Sequence, residues 1–490
     1  MIYPERRFVL PGVHSRTTEP LVSFHTFSSR RSDSSVRAWL TLVCLAMLQF
    51  FIAIDVTVVN VALPSIGAEF GASERQLTWV VVAYTIAGGG LLMLGGRLGD
   101  MFGRRRILLA GTAIFGAASL LAGTAWSFPI LVAARLLQGV GEALALPAAM
   151  AIIVMLFPEG TPRSRALGVW AAVASCGLVL GFVLSGIITE FLGWRSIFLV
   201  AIPFVAIVLV ATSFLVPLGR SLERVPLDLR GAVLLTVTPL LFVFGIVEAG
   251  SSRYPMIWIL AILASFICGT LFVVFERKAA NPMVPISFFR HRARTLANAS
   301  TALLSAALST SFLLFTFYLQ DRLGLSPLAT GLMLVPLAVS LVVAVTYVPR
   351  LLGRWGARVC ILAGLVFTAL AMASIALVVH LHAPAPAMIP AMILIAAGMG
   401  FGLVGLQYVS VTGVTEQDAG IASGVQRAAD QLGGSTGIAI YLGIGFAPAF
   451  SGNTPYFVAS ILAIIGLVAA GLLASRIRIA VSSDAEVTAS

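Results

Sequence analysis

Long apolar stretches recur along nearly the whole chain, and they constrain its fold more than any other feature. A helix needs about 20 mostly apolar residues to cross the hydrocarbon core of a bilayer. Of the 490 residues, 59% are hydrophobic and only 10% are charged, whereas soluble domains carry about 25% charged residues. One soluble core could not bury so many apolar segments. The sequence therefore predicts an all-α integral membrane protein.

Fourteen apolar segments are separated by polar turns or by turns rich in glycine and proline. The predicted spans are 39–63, 77–96, 107–126, 129–157, 166–190, 196–217, 229–248, 255–275, 296–319, 328–349, 358–380, 386–409, 431–449 and 455–475. The residues before the first span, 1–37, lack the apolar core and cleavage site of a secretory signal. They are predicted to form a disordered cytoplasmic tail.

The distribution of basic residues predicts the orientation of these spans. If the spans alternate in direction, 26 of the 31 Lys and Arg residues fall on the side of the chain ends. Only Arg75, Arg195, Arg253 and Arg322 fall on the other side, and Arg135 lies within a span. Because cytoplasmic loops carry the excess of positive charge, both termini are predicted to be cytoplasmic. This bias also accounts for the net charge of +11 without a nucleic-acid partner.

A repeat with an interval of 253 residues predicts two related halves. Gly71-Ala72-Ser73 corresponds to Gly324-Leu325-Ser326, and the turn at Gly103 corresponds to the turn at Gly356. Related halves with a site near the membrane midplane are common in secondary transporters. The predicted units are a six-helix half at 38–217, an inserted helix pair at 218–276, a cytoplasmic loop at 277–295, a second six-helix half at 296–475 and a tail at 476–490.

The turn between spans 2 and 3 reads Gly96-Arg97-Leu98-Gly99-Asp100-Met101-Phe102-Gly103-Arg104-Arg105-Arg106. It resembles the signature loop of the major facilitator superfamily, in which a basic residue usually stands where this chain has Met101. The resemblance implies the major facilitator fold and a role for this loop in latching the cytoplasmic gate. The gate residues are those at the motif positions: Gly96, Gly99, Asp100, Gly103, Arg104 and Arg105. We expect Asp100 to cap the start of span 3. The alternative is a plain basic turn.

Span 1 contains Asp55 within the run from Ile54 to Pro64. A carboxylate in the middle of a membrane costs about 2.5–3.5 kcal/mol, so it needs a cavity, a partner or a proton. The run is similar to the span-1 signature of the fourteen-helix drug:proton antiporters. That resemblance implies that Asp55 faces the central cavity and binds protons or a cationic substrate. A structural hydrogen bond to a neighbouring span is the alternative.

Span 4 carries a polar stripe that includes Arg135, Gln138 and Glu142. At 100° per residue these three side chains lie on one face of a helix. The run resembles the family segment whose arginine is tied to proton transfer, with Glu142 in place of a small residue. Glu142 could pair with Arg135 or add a second titratable carboxylate, and the sequence leaves both interpretations open.

Span 5 has small residues at a spacing that brings helices close together: Gly177, Gly181, Ser185 and Gly186. Small residues four apart allow two backbones to approach in a membrane. The drug antiporters usually carry a proline in this segment, and this chain lacks it. Close packing is therefore the preferred interpretation of these residues, ahead of a specific role in antiport.

These features together predict a proton-coupled exporter of lipophilic, often cationic, compounds that works by alternating access. The resemblance implies a multi-pass monomer in the bacterial inner membrane, with a small-molecule substrate, protons and the bilayer as partners. No phosphate-binding loop, metal-ligand spacing or catalytic constellation is present, so we predict no enzyme activity, cofactor or metal. A proton-coupled importer or facilitator is one alternative. A membrane sensor or scaffold that transports nothing is another.

Overall fold

The computed structural model describes residues 26–216, 228–249, 255–279, 282, 284, 286–414, 419–447 and 449–477. Fourteen helices long enough to cross a membrane make up most of these residues. They are α1 Thr26–Phe70, α2 Glu74–Phe102, α3 Arg104–Gly123, α4 Phe128–Leu156, α5 Thr161–Leu192, α6 Ser196–Leu215, α7 Leu229–Glu248, α8 Pro255–Lys278, α9 Arg292–Arg322, α10 Pro327–Trp355, α11 Ala357–His380, α12 Ala385–Val411, α13 Ala419–Gly445 and α14 Thr454–Ala474. A short 3₁₀ helix, Ile286–Arg290, precedes α9.

Several helix ends differ from the predicted bounds. The first helix begins at Thr26, inside the predicted tail, and residues 1–25 lie outside the described residues. Helix α9 closes with a π-helical turn, and α12 contains one in its middle. The residues on either side of α7 and those after Ile477 include further parts of the predicted loops and tail that lie outside the described residues.

Thirteen of the described helices are long and apolar enough to cross a membrane by length and composition. The remaining one, α13, has 27 residues but a more polar sequence that includes Arg427, Asp430 and Gln431. It begins at Ala419, well before the predicted start at residue 431. The prediction placed this start too late because it relied on continuous apolarity. Helix α13 packs against α2, α9 and α14, so much of its surface contacts protein rather than lipid.

The helices pack as two groups joined along a shared seam. In the first group α1 packs on α5, and α4 packs on both α2 and α3. In the second group α14 packs on α9 and α11. Helices α2 and α13 meet along the seam, and α7 packs on both of them. Helix α8 packs on α7 and exposes large apolar side chains such as Phe266 and Ile267, as a lipid-facing helix would.

Turns related by the 253-residue repeat have the same local structure. The Ser73 and Ser326 side chains cap α2 and α10 by accepting a hydrogen bond from the backbone N–H three residues later. Gly103 (φ 98°) and Gly356 (φ 79°) each join two helices in a conformation that L side chains rarely adopt. The sequence repeat therefore corresponds to a repeat in backbone geometry. We call the side of the bundle that holds these two glycines the tail side.

Candidate functional site

A buried polar network joins Asp55 on α1 to Arg135 and Gln138 on α4. Arg135 Nη1 donates a hydrogen bond to Asp55 Oδ2 at 2.5 Å, and Gln138 Nε2 donates to Asp55 Oδ1 at 3.1 Å. Arg135 also donates from Nε to the Val80 carbonyl oxygen at 2.8 Å, and Gln138 donates to Ser119 Oγ at 2.9 Å. Both carboxylate oxygens of Asp55 are therefore occupied by N–H donors.

Water has almost no access to this network. Asp55 is 4% exposed and Arg135 is 1% exposed. The Arg135 guanidinium carbon lies 4.3 Å from the centre of the Tyr84 ring, which adds a cation–π contact. Asp55 was predicted to face a central cavity. The structure instead buries it inside the first helix group, where Arg135 balances its charge.

Glu142 lies two turns beyond Arg135 on α4, and its partners are Gln431 and Arg427 on α13 and the Tyr84 hydroxyl on α2. Gln431 Nε2 donates a hydrogen bond to Glu142 Oε1 at 3.2 Å, and Arg427 Nη2 lies 3.8 Å from the same oxygen. Glu142 is 1% exposed, whereas the Arg427 side chain is 49% exposed. The sequence left open whether Glu142 pairs with Arg135. In this structure its ion pair crosses the seam to Arg427 instead.

Two acceptor oxygens in this group accept no hydrogen bond of normal geometry within the described part of the chain. They are Glu142 Oε2 and Gln431 Oε1. A Cβ atom placed on Gly88 would lie 3.0 Å from the first and 3.2 Å from the second. Both oxygens therefore face the same glycine on α2. A buried acceptor without a donor is unfavourable by about 1–3 kcal/mol, and a single proton placed on Glu142 Oε2 would supply one.

Other polar residues on α13 extend this site along the seam. Asp430 Oδ1 accepts a hydrogen bond from Ser305 Oγ on α9 at 2.5 Å. The hydroxyls of Thr85 on α2 and Ser435 on α13 lie 2.5 Å apart. Arg427, Asp430 and Gln431 were not among the predicted site residues. The first two fell in a predicted loop, and Gln431 was the first residue of the predicted span 431–449. The signal that could have found them is the spacing 427, 430 and 431, which places all three on one helical face.

The predicted gate motif forms the last turns of α2, the Gly103 turn and the first turn of α3. Asp100 Oδ1 accepts hydrogen bonds from Arg104 Nη2 at 2.9 Å and Nε at 3.1 Å. Asp100 was predicted to cap α3. The structure places it in the last turn of α2, and its oxygen binds the Arg104 side chain. Arg105 donates to the Ser213 carbonyl oxygen at 2.6 Å, which ties α3 to the end of α6.

Two glycines of this motif face the first turn of α3 and helix α4. A Cβ atom on Gly99 would lie 3.7 Å from Arg104 Cγ, and one on Gly96 would lie 3.7 Å from Pro147 Cβ. Both are ordinary contact distances. These two positions could therefore hold a small side chain, unlike Gly103 with its positive φ.

The small residues of α5 line a close contact with α1 around Asp55. A Cβ atom on Gly177 would lie 2.8 Å from the Phe50 carbonyl oxygen, and one on Gly181 would overlap Thr57. Ser185 Oγ donates a hydrogen bond to the Val58 carbonyl oxygen. Gly186 instead faces α10, where its Cβ position is 3.0 Å from Leu328 Cα. The predicted packing residues thus contact two different helices.

Comparison with known proteins places this geometry in a family. The family model described as Major Facilitator Superfamily matches residues 45–438. The lincomycin resistance protein of Streptomyces lincolnensis is 49% identical over 450 residues, which cover 91% of this chain and 93% of that protein. The puromycin resistance protein pur8 of Streptomyces alboniger is 36% identical over 410 residues, covering 82% of this chain and 81% of the relative. The multidrug efflux pump LfrA of Mycolicibacterium smegmatis is 33% identical over 417 residues, with 85% and 82% coverage.

Solved structures share the fold at low sequence identity. The nucleoside transporter NupG superposes with a TM-score of 0.66 at 12% identity, covering 90% of this chain and all of that one (100%). A POT family peptide transporter in complex with alafosfalin gives a TM-score of 0.67 at 14% identity, with 89% and 94% coverage. No group of three or more potential metal-ligating side chains occurs among the residues that the structure describes.

Proposed function

The chain belongs to the major facilitator superfamily, and from this premise we propose that it exports a drug in exchange for protons. The family makes it a membrane transporter rather than an enzyme. Relatives named for lincomycin, puromycin and multidrug resistance match along most of its length. We therefore propose antibiotics and other lipophilic, often cationic, compounds as the substrate class.

The proposed proton coupling rests on two side-chain oxygens at the seam that lack hydrogen-bond donors of normal geometry within the described residues. Glu142 Oε2 and Gln431 Oε1 face the same glycine, and within the described residues neither accepts a hydrogen bond of normal geometry. A proton bound to Glu142 would convert Oε2 from an acceptor into a donor and would also remove the negative charge that attracts Arg427. By contrast, both Asp55 oxygens already accept hydrogen bonds, so a proton there would displace a donor. We therefore assign the transported proton to Glu142, and we assign to Asp55 the role of holding Arg135.

The position of Glu142 links protonation to a conformational change. Its ion pair with Arg427 connects α4 of the first helix group to α13 of the second. Proton binding weakens this connection, and proton release restores it, so the two states of Glu142 favour different arrangements of the seam. A ligand shifts an equilibrium between two conformations only if it binds one of them more tightly. The proton meets this condition, because it binds more tightly to the arrangement in which Glu142 is not paired with Arg427.

The two six-helix halves and the inserted pair α7–α8 remain a proposed division. Two observations support it: the related turns have matching geometry, and α7 contacts one helix from each group. We further propose that the tail side faces the cytoplasm, because the alternating spans assign most Lys and Arg residues of the sequence to that side. We also propose that the transporter works as a monomer, since one chain supplies every group of the Asp55 and Glu142 sites. Labelling of single-cysteine variants in tail-side loops by a membrane-impermeant reagent tests the orientation.

Drug-driven proton movement in inverted membrane vesicles tests the function. Respiration acidifies the vesicle interior, and a pH-sensitive dye reports protons released when lincomycin, puromycin or a lipophilic cation is added. We expect release with the wild type and none with Glu142→Gln, because the amide cannot carry a proton. Glu142→Asp should retain part of the signal. Glu159→Gln is the matched control, since Glu159 is exposed and pairs only locally with Arg163.

Each outcome of this assay bears on a separate part of the proposal. Proton release by Glu142→Gln at the wild-type level would remove Glu142 from the coupling. Failure of the wild type to respond to any compound of the panel would contradict drug:proton exchange. Accumulation of compound on the cytoplasmic side would indicate an importer. A protein that moves none of these compounds and no small metabolite would favour a sensor or scaffold.

A further inference from the structure

Three arginines converge at the tail side of the second helix group, away from the Glu142 site. Arg292 opens α9, Arg358 lies at the start of α11, and Arg476 follows the end of α14. Together with Ala293 and Ser475 they line a cavity of about 490 Å³. The three helices that carry them pack on one another. This arrangement brings three positive charges from distant parts of the sequence to one pocket.

The described residues around this pocket supply no balancing negative charge. None of the lining residues is acidic. In the part of the chain that the structure describes, none of the three guanidiniums has a salt-bridge partner or a hydrogen-bond acceptor. The α9 helix adds partial positive charge, because its N-cap residue His291 makes no side-chain hydrogen bond to the free N–H groups of the first turn. Like charges held together without counter-charge favour binding of an anion.

The surroundings of the pocket indicate that this anion comes from the membrane. Helices α11 and α14 expose large apolar side chains along the faces that lead away from the arginines. These are Val359, Val366 and Leu370 on α11 and Leu472, Val468 and Ile465 on α14. A soluble anion would gain nothing from them. A phospholipid would place its phosphate among the arginines and its acyl chains along these helices.

We propose that this pocket binds the headgroup of an anionic phospholipid. Guanidinium groups bind phosphate oxygens through paired N–H donors, and three of them line this one cavity. Basic pockets between membrane helices bind such headgroups in other membrane proteins. Bound lipid would join the ends of α9, α11 and α14, and so would stabilise the second helix group at its tail side. This site is independent of the proposed proton coupling.

Lipid binding to the purified full-length protein tests the proposal. Native mass spectrometry counts bound phosphatidylglycerol and cardiolipin during a titration in neutral detergent, with phosphatidylcholine as the zwitterionic comparison. A variant with Arg292→Gln, Arg358→Gln and Arg476→Gln removes the three charges together. Each basic group near an anionic surface contributes roughly 1 kcal/mol, so we expect the affinity for phosphatidylglycerol to fall on the order of a hundred-fold.

A control variant separates this site from a general effect of charge. Arg165→Gln, Arg277→Gln and Lys278→Gln remove three exposed tail-side charges that do not line the pocket. The control should bind phosphatidylglycerol within threefold of the wild type. Thermal unfolding without added lipid confirms that both triple variants are folded. Arginine-to-lysine replacement at the three pocket positions should give an intermediate affinity, because it keeps the charge and loses the paired donors.

Two results would overturn the proposal. The pocket variant could bind phosphatidylglycerol as tightly as the wild type, which would place the lipid elsewhere. Alternatively, glycerol 3-phosphate could compete with phosphatidylglycerol at equal concentration, which would identify a site for a soluble phosphate rather than for a lipid. A preference for cardiolipin over phosphatidylglycerol would support the proposal and indicate that the pocket binds two phosphates.

Discussion

Replacing Asp55 by Asn leaves the Arg135 guanidinium buried without a negative charge. Arg135 is 1% exposed and its 2.5 Å contact with Asp55 is its only salt bridge within the described residues. Removing one partner of a buried pair costs about 3–5 kcal/mol, because the other charge stays uncompensated. The Tyr84 ring and the Val80 carbonyl oxygen still contact Arg135, so we expect a loss near the lower end of that range.

The double variant Asp55→Asn with Arg135→Gln distinguishes a charge effect from a loss of packing. It removes both charges and keeps a polar side chain at each position, so it should be more stable than Asp55→Asn alone. The interaction free energy from the double-mutant cycle should be at least about 2 kcal/mol, within the range seen for residues in one network. The midpoint of thermal unfolding in detergent micelles gives the order of stability: wild type, double variant, then Asp55→Asn.

An Asp55→Asn variant with a free energy of unfolding within about 0.5 kcal/mol of the wild type, the usual range for surface substitutions, would contradict a stabilising ion pair. A double variant less stable than the single one would contradict it too. The same proteins test the assignment of roles. We expect the double variant to retain drug-driven proton release, because Glu142 is unchanged. Loss of proton release in a folded double variant would indicate that Asp55, rather than Glu142, carries the transported proton.

Three further variants test a close helix contact, a turn and a hydrogen bond. Gly141→Ala should lower the free energy of unfolding by about 1–3 kcal/mol through overpacking, because its Cβ would lie 2.6 Å from the Phe115 backbone nitrogen. Gly168→Ala in α5 is the matched control, because a Cβ there would meet nothing within 4 Å. Its unfolding midpoint should stay the same or rise. Gly103→Ala should lower the midpoint by an amount equivalent to about 1–3 kcal/mol, because φ is 98° and ψ is 124° there, a conformation essentially confined to glycine. Ser305→Ala should lower the free energy of unfolding by about 1.5–3 kcal/mol, because the partly buried Asp430 carboxylate loses the donor at 2.5 Å. An unchanged unfolding midpoint would contradict the importance of that bond.

The lipid-crossing helices could be predicted well because their signal is local. A span facing lipid must be apolar along about 20 residues, and thirteen of the described helices meet that condition. The turns at Gly103 and Gly356 could also be recognised, because a helix-to-helix turn with positive φ favours glycine. Both features can be recognised from the local sequence alone, without knowing which helices pack together.

Helix α13 and the partners of the buried charges could not be predicted in the same way. Polar residues such as Asp430 and Gln431 are tolerated mid-helix because other helices supply their partners. Those partners are more than a hundred positions away in sequence. The cap predicted for Asp100 failed for a local reason: α2 continues to Phe102, so Asp100 lies in its last turn, where the Arg104 side chain binds the carboxylate at 2.9 Å. Spacing on a helix identifies which residues share a face, but not which helix that face contacts.

Helix α4 carries two charged groups whose ion pairs differ because they face different neighbouring helices. Arg135 and Glu142 are seven residues apart, which is about 10 Å along a helix axis. Arg135 binds Asp55 within the first helix group, whereas Glu142 meets Arg427 across the seam. A charge held by the first contact keeps α1 and α4 together whichever way the seam is arranged. In the proposed mechanism, a proton at the second contact would change only what holds α4 to α13. A permanent ion pair beside a reversible one would then let a single proton shift the two groups without loosening either.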